Sequence, residues 1–253
     1  MPWAGLLLLG LFGSALAAGI APAERRSGYD FMQPQTRAMQ DDDAANPGML
    51  WVLEGEGLWN ARPGGDAKSC SACHRDAALR GVAARYPAFD SAASRLINLD
   101  QRINLCRVQQ QRQPAFAYES RELLALSGFV ARQSRGMSIE ASIDPRAAEA
   151  LAAGRAEFQR RRGQLDLSCA QCHDERHGRH LGGSLIPQGH PTGYPIYRLE
   201  WQAVGSLQRR LRACMSGVRS EPYAYGAPEL VNLELYLMWR ARGMALETPG
   251  VRP

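Results

Sequence analysis

Two copies of Cys-x-x-Cys-His, Cys70-Ser-Ala-Cys73-His74 and Cys169-Ala-Gln-Cys172-His173, carry the densest chemistry in this chain. Thiols at this spacing can add across the two vinyl groups of a porphyrin and form thioethers. The histidine that follows directly is then delivered to the tetrapyrrole face, where it reaches the iron as proximal ligand. A single match fits a zinc half-site or a redox dithiol equally well. Two matches point to covalent c-type haem at both, because a four-cysteine zinc module has no use for the histidine twice. The expected cofactors are two covalently attached haem c groups. Cys70, Cys73, Cys169 and Cys172 hold them, with His74 and His173 on the irons.

The surroundings of the motifs repeat. Gly55 to Trp59 precedes Cys70 as Gly154 to Phe158 precedes Cys169, so glycine, aromatic, cysteines and histidine register at an offset of 99. Farther on, Arg102-Ile-Asn-Leu-Cys106 parallels Arg210-Leu-Arg-Ala-Cys214 at an offset of 108. Tyr118 to Arg135-Gly136-Met137 then parallels Tyr225 to Arg242-Gly243-Met244 at 107. The second unit carries an insertion in the Gly/Pro-rich stretch from His180 to Pro195.

Elements that could position these groups are also written twice. Asn46-Pro47 and Asp144-Pro145 each read as an N-cap followed by proline at the first helical position. The helices they open lead to Trp59 and Phe158. A second helix closes each unit, starting at Ser120 in one and at Gly226-Ala227-Pro228 in the other, with Glu122 and Glu229 near the positive end of the dipole. Leu123, Leu126 and Val130 share one helical face, as do Leu230, Leu233 and Leu237. A helix, a haem motif, a ligand-bearing loop and a closing helix make the layout of a cytochrome c domain. The expected fold is all-α: two cytochrome c-like domains related by an internal repeat, over 47–143 and 144–253. An N-terminal arm over 24–46 precedes them, docked on the surface.

Each iron has a sixth position. Met137 and Met244 lie at the far ends of the closing helices and read as packing residues. Met215 is better placed in the second unit, but Arg107 stands at the matching position of the first, so a shared scheme cannot use it. Six cysteines minus four thioether formers leave Cys106 and Cys214, each in its unit's expected ligand loop. One reading joins them in a disulfide, which an oxidising compartment permits. The preferred reading puts each thiolate on its own iron, because they occupy equivalent positions in two repeats. Thiolate ligation favours ferric iron and a low potential. Arg102 and Arg107, or Arg209, Arg210 and Arg212, would help keep the sulfurs ionised.

Composition narrows the partners. The formal charge is +5, and all but Lys68 of the 30 basic residues are arginine. No basic run interleaves with aromatics, which argues against nucleic acid and leaves small anions and acidic protein partners. The apolar run from Trp3 to Phe12, followed by Ala15-Leu16-Ala17, reads as a secretory signal within residues 1–23, an uncleaved anchor being the competing reading. Export to the periplasm is expected because thioether attachment takes place outside the cytoplasm. No stable membrane insertion is expected of the rest.

At these residues the chain resembles the SoxA subunits of the SoxAX cytochromes, from the periplasmic sulfur-oxidising system. The haem motifs, the lone cysteines, the stretch from Leu181 to Trp201 and the run Leu207-Gln-Arg-Arg-Leu-Arg-Ala-Cys214 carry the likeness. It spans about Pro47 to Met244 and is more specific in its second half. The resemblance implies that His74 and Cys106 ligate the first iron, and His173 and Cys214 the second. It implies that Cys214 is the active-site residue, modified to a persulfide, and that Arg210 belongs to the substrate pocket. It further implies an L-cysteine S-thiosulfotransferase, which joins thiosulfate to a cysteine of the SoxYZ carrier while a monohaem SoxX subunit helps remove electrons. His177 and His180 depart from the pattern and read as exposed surface residues. The competing readings are a thiosulfate dehydrogenase forming tetrathionate and a plain electron-transfer cytochrome. A dihaem peroxidase would need one open iron and fits less well.

Overall fold

Two crossed helix pairs frame the molecule, and they are the same pair written twice. The computed structural model describes residues 20–141 and 144–253, so the expected leader falls mostly outside the described residues. Helix α2 (Met49–Asn60) packs on α5 (Arg121–Arg132), and α6 (Ala148–Gln159) packs on α9 (Pro228–Arg240). The repeated glycines explain the closeness. A Cβ at Gly55 would overlap the Ala125 carbonyl, and one at Gly154 would overlap the Asn232 carbonyl. Backbone cannot move aside as a side chain can, so Gly154→Ala is expected to destabilise the fold by about 1–3 kcal/mol. Thermal unfolding would measure this.

The capping signals mostly act where expected. Ser120 accepts from the Leu123 N–H, Pro228 opens α9, and Asp144 accepts from the Arg146 N–H to start a turn that runs into α6. Asn46 behaves differently, and α2 begins only at Met49. The Asn46 Oδ1 accepts from the Gly48 N–H at 2.9 Å while its amide donates to the Pro249 carbonyl at 2.9 Å. Asn46 thus still caps the chain turn that leads into α2 while tying it to the C-terminal segment.

The motif cysteines open short helical turns, α3 (Cys70–Cys73) and α7 (Cys169–His173), capped by Ser69 and Ser168. The expected ligand loops are helices instead. Cys106 lies on α4 (Leu99–Gln110) and Cys214 on α8 (Leu207–Gly217). Asn98 and Gln101 form a reciprocal capping box that starts α4, and Ser206 caps α8. Short strands trim this helical frame. Among the described residues β1 (Ala88–Asp90) pairs with β2 (Arg95–Ile97), and β3 (His180–Leu181) pairs with β4 (Ser184–Leu185). Strand β5 (Ile196–Arg198) lies between antiparallel β6 (Ala203–Gly205) and parallel β7 (Gly250–Arg252).

The lobes join along a seam where the repeat pairs with itself. The Gly136 N–H donates to Leu246 at 2.8 Å, and the Ile139 N–H donates to Met244 at 2.8 Å. Met137 and Met244 belong to this seam. The N-terminal arm is more deeply built in than a surface attachment. Helix α1 (Pro34–Asp41) lies on β7 with Thr36 and Gln40 buried, and Gln40 accepts from the Val251 N–H at 2.9 Å. Asp43 pairs with Arg132 and Arg135 on the first lobe, at 2.8 and 2.6 Å. No helix among the described residues is long and apolar enough to cross a membrane.

Candidate functional site

In the second lobe α7 and α8 bring His173, Cys169 and Cys214 together. Cys169 packs half-buried against a core of Phe158, Met215, Leu230 and Leu233. Burial pushes its thiol up to about 11, and the nearby Cys214 adds to the rise. Cys214 goes the other way. Burial acts to raise it, but a hydrogen bond from His173 and the charges of Arg210, His173 and Arg198 outweigh that and hold it below the ordinary thiol range. Arg210 stands one helical turn before Cys214 on α8, hence on the same face. A half-buried sulfur kept toward thiolate beside two guanidiniums can ligate iron, attack sulfur and receive an oxyanion.

The His173 ring is held from behind. Its Nδ1 pairs with the Pro187 carbonyl at 2.7 Å, so Nε2 is the ring nitrogen that meets Cys214 and the one a haem iron would take. Gly189 lies against the ring, and a Cβ there would stand 3.1 Å from its Cγ, at a backbone φ of +74°. Gly189→Ala is therefore expected to tilt the ring and alter the spectrum of a haem at Cys169–His173, leaving the other motif unaffected. Low-temperature electron paramagnetic resonance would check it.

The first lobe repeats the pattern with looser support. Cys70 packs against a core of Val52, Trp59, Leu126 and Phe129. Burial raises its thiol; Gln111 donates a hydrogen bond to its sulfur at 3.6 Å, and Cys106 lies close enough to add to the rise. His74 is exposed, with its ring centroid 5.8 Å from that of Trp59. Arg102 pairs with Asp90 at 2.5 Å, and Arg107 covers the Phe116 ring at 3.7 Å. In the second lobe Arg209 covers Trp201 at 4.2 Å and Arg212 covers Tyr225 at 4.4 Å. Of the arginines flanking Cys214, Arg210 is the one that acts on its thiol.

All six cysteines are free, and each lone cysteine neighbours its own motif rather than its counterpart. Among the described residues no three His, Cys, Asp or Glu side chains converge to hold a metal ion. The donor set fits haem c: an anchored imidazole, a facing sulfur and two half-buried thiols against an apolar core. Met215 is buried in that core as a packing residue. His177 and His180 are exposed, as expected.

Three contributors escape a motif reading. Arg198 on β5 is mostly buried, with its Nε unpaired, and its charge acts on Cys214. Arg240 on α9 is buried over Phe158 and pairs with Asp174, next to His173, at 2.5 Å. His190 bonds the Arg26 carbonyl at 2.8 Å, and burial pushes it down to about 4, so it stays neutral. Arg198 and His190 lie inside the stretch that carried the resemblance, the one signal that could have found them.

Two lobes, each a haem motif set between crossed helices, define a double cytochrome c. Residues 54–139 and 153–246 match the family model "SoxA/TsdA, cytochrome c domain", and the chain belongs to that family. It is 36% identical over 231 residues to the L-cysteine S-thiosulfotransferase subunit SoxA of Rhodovulum sulfidophilum, covering 90% of this chain and 80% of that one. The same subunit from Pseudaminobacter salicylatoxidans is 35% identical over 90% of this chain and 81% of its own. The crystal structure of SoxXA from P. pantotrophus superposes with a TM-score of 0.88 at 30% identity, covering 90% of this chain and 87% of that one.

Proposed function

We propose that the chain acts as the SoxA-type subunit of a periplasmic L-cysteine S-thiosulfotransferase, joining thiosulfate to a cysteine of a SoxYZ-type carrier. The observation that carries this is the half-buried Cys214, held toward thiolate by His173, Arg210 and Arg198. Thiosulfate is a dianion, and guanidinium groups suit its sulfonate oxygens. The Cys214 sulfur forms an S–S bond to the outer sulfur of thiosulfate, giving up two electrons. The carrier thiolate then attacks that outer sulfur, and Cys214 leaves as thiolate. Summed, thiosulfate and a carrier thiol give a cysteine S-thiosulfonate, two electrons and one proton.

Two haem c groups would be held by Cys70 and Cys73, and by Cys169 and Cys172, with His74 and Cys106 as the residues that would ligate the first iron and His173 and Cys214 those that would ligate the second. Bound there, haem supplies one-electron acceptors beside the reacting sulfur. A SoxX-type monohaem subunit is the partner proposed to carry electrons onward. The division proposed is an arm over 24–46 and lobes over 47–143 and 144–253. The family description also names TsdA, which keeps a thiosulfate dehydrogenase as the second reading. Purified protein given thiosulfate with and without carrier separates them: rapid tetrathionate formation without carrier contradicts the transferase reading. Intact mass should show two covalent haems.

A further inference from the structure

Where the lobes meet, two carboxyl groups come together, Glu234 buried and Asp100 half-buried. Asp100, near the start of α4, accepts from the Ser127 hydroxyl on α5. Glu234, within α9, accepts from the Asn98 amide at 3.1 and 3.3 Å and has Gln208 of α8 as a neighbour, whose buried Nε2 makes no hydrogen bond among the described residues. In the repeat, Asp100 matches Gln208 and Ser127 matches Glu234, so the two lobes hold the same carboxyl–partner pair in opposite order. The seam is cross-tied around them. Gln101 donates to the Gly226 carbonyl at 3.2 Å, and the Gly226 N–H donates to Gln208 at 2.7 Å.

A cavity of about 90 Å³ lies between Asp100, Glu234, Ser127, Asn98, Tyr86 and Tyr194, and no arginine, lysine or histidine lines it. That volume has room for water. The other acid facing the pair is Glu119, from the loop before α5, whose charge acts on Asp100. Tyr118, from the same loop, faces both carboxyls, and Arg95 acts on Tyr118. Arg102, the cation on α4 nearest in sequence, is committed to Asp90. Two carboxyl groups packed into one cation-free seam disfavour each other's charge, which favours a proton on one of them.

Position gives that proton a use. Asp100 lies six residues before Cys106 on α4, and Gln208, the neighbour of Glu234, lies six residues before Cys214 on α8. Six residues are about 9 Å of helical rise. Each candidate iron-bound sulfur thus shares a helix with one side of the seam. We propose that the Asp100–Glu234 seam is a proton-binding site linked to the oxidation state of the two haem sites. When an electron arrives, a proton from solvent forms an O–H bond on a seam carboxylate; when the electron leaves, that bond breaks. Burial supports the range, lifting Asp100 to about 6 and Glu234 to about 8.

The inference rests on the haem assignment and not on thiosulfate transfer. Its test is a redox titration of the haem-loaded protein, followed by visible spectra at a series of pH values. At least one midpoint is expected to fall as pH rises between about 6 and about 8. The fall per pH unit is at most about 59 mV for each proton coupled to one electron. Asp100→Asn and Glu234→Gln together should flatten it. A wild-type midpoint that ignores pH, or a slope unchanged in the double variant, overturns the proposal. Should the variants not fold, redox-difference infrared spectra of the wild type decide. A protonated-carboxyl band that changes with oxidation state and shifts in heavy water supports the seam, and its absence overturns it. Failed thiosulfate conjugation with this pH response intact would count against the transferase reading alone.

Discussion

Replacing Cys214 with alanine is expected to lower carrier-dependent thiosulfate conjugation by on the order of a thousandfold or more. The loss should be this large because one sulfur serves two purposes. In the proposed reaction it forms the S–S bond to thiosulfate, and with His173 it would ligate the iron of the second haem. Alanine removes the nucleophile and the axial donor together, so the second haem's spectrum should change while the first keeps its signature. Cys106→Ala is the matched control. It should alter the first haem and leave conjugation within about tenfold of wild type. Steady-state rates with carrier, paired with low-temperature spectra, would read both effects. Comparable losses of rate from the two variants would contradict the assignment of chemistry to the second lobe.

Replacing Arg210 with methionine should cost on the order of a hundredfold in kcat/KM, most of it in KM. The residue stands one turn before Cys214, and its charge is among those that hold the thiol below its ordinary range. Removing that cation raises the thiol's pKa. The acidic limb of the pH–rate profile should therefore move to higher pH, and at any pH on that limb less thiolate remains. Arg210→Lys should restore part of the pH profile but less of the affinity, because an ammonium cannot grip two sulfonate oxygens as a planar fork does. The same pH shift, without the KM effect, would mean that Arg210 tunes the sulfur and leaves thiosulfate to other groups.

How much of this was legible follows from where each signal lies. The repeated glycines and aromatics could be aligned by eye, and Gly55 and Gly154 prove to be where helix backbones touch. Caps at Ser120, Asp144 and Pro228 act locally, so local sequence suffices to read them. Asn46 accepts from the Gly48 N–H as a cap does, yet α2 begins only at Met49, and its bond to the Pro249 carbonyl, more than two hundred residues away, had no local signal. Cys106 and Cys214 were expected in loops, yet Asn98-x-x-Gln101 and Ser206 start helices that carry both. The arm's polar composition hid its burial, because Gln40 and Thr36 are satisfied by packing and backbone groups that only the fold supplies.

The site divides along the same line. Cys214, Arg210 and His173 share short motifs and were legible together. Arg198 acts on the sulfur by its charge from β5, a strand paired with β7, and the matching position of the first unit is Asp90, an acid, so the repeat gave no hint of it. The clamp on His173 likewise comes from Pro187, through a backbone carbonyl that carries no side-chain signature. The Asp100–Glu234 seam was invisible for a related reason. Each acid looks like an ordinary polar helix residue until both lobes close over it.

Electron paramagnetic resonance of the oxidised, haem-loaded protein, compared with its Cys214→Ala variant, probes the double duty of that sulfur most directly. Two low-spin ferric signals with axial histidine and thiolate are expected in the wild type, one of them lost in the variant along with conjugation. Signals unchanged by the substitution, or a wild-type spectrum lacking sulfur coordination at the second haem, would contradict it.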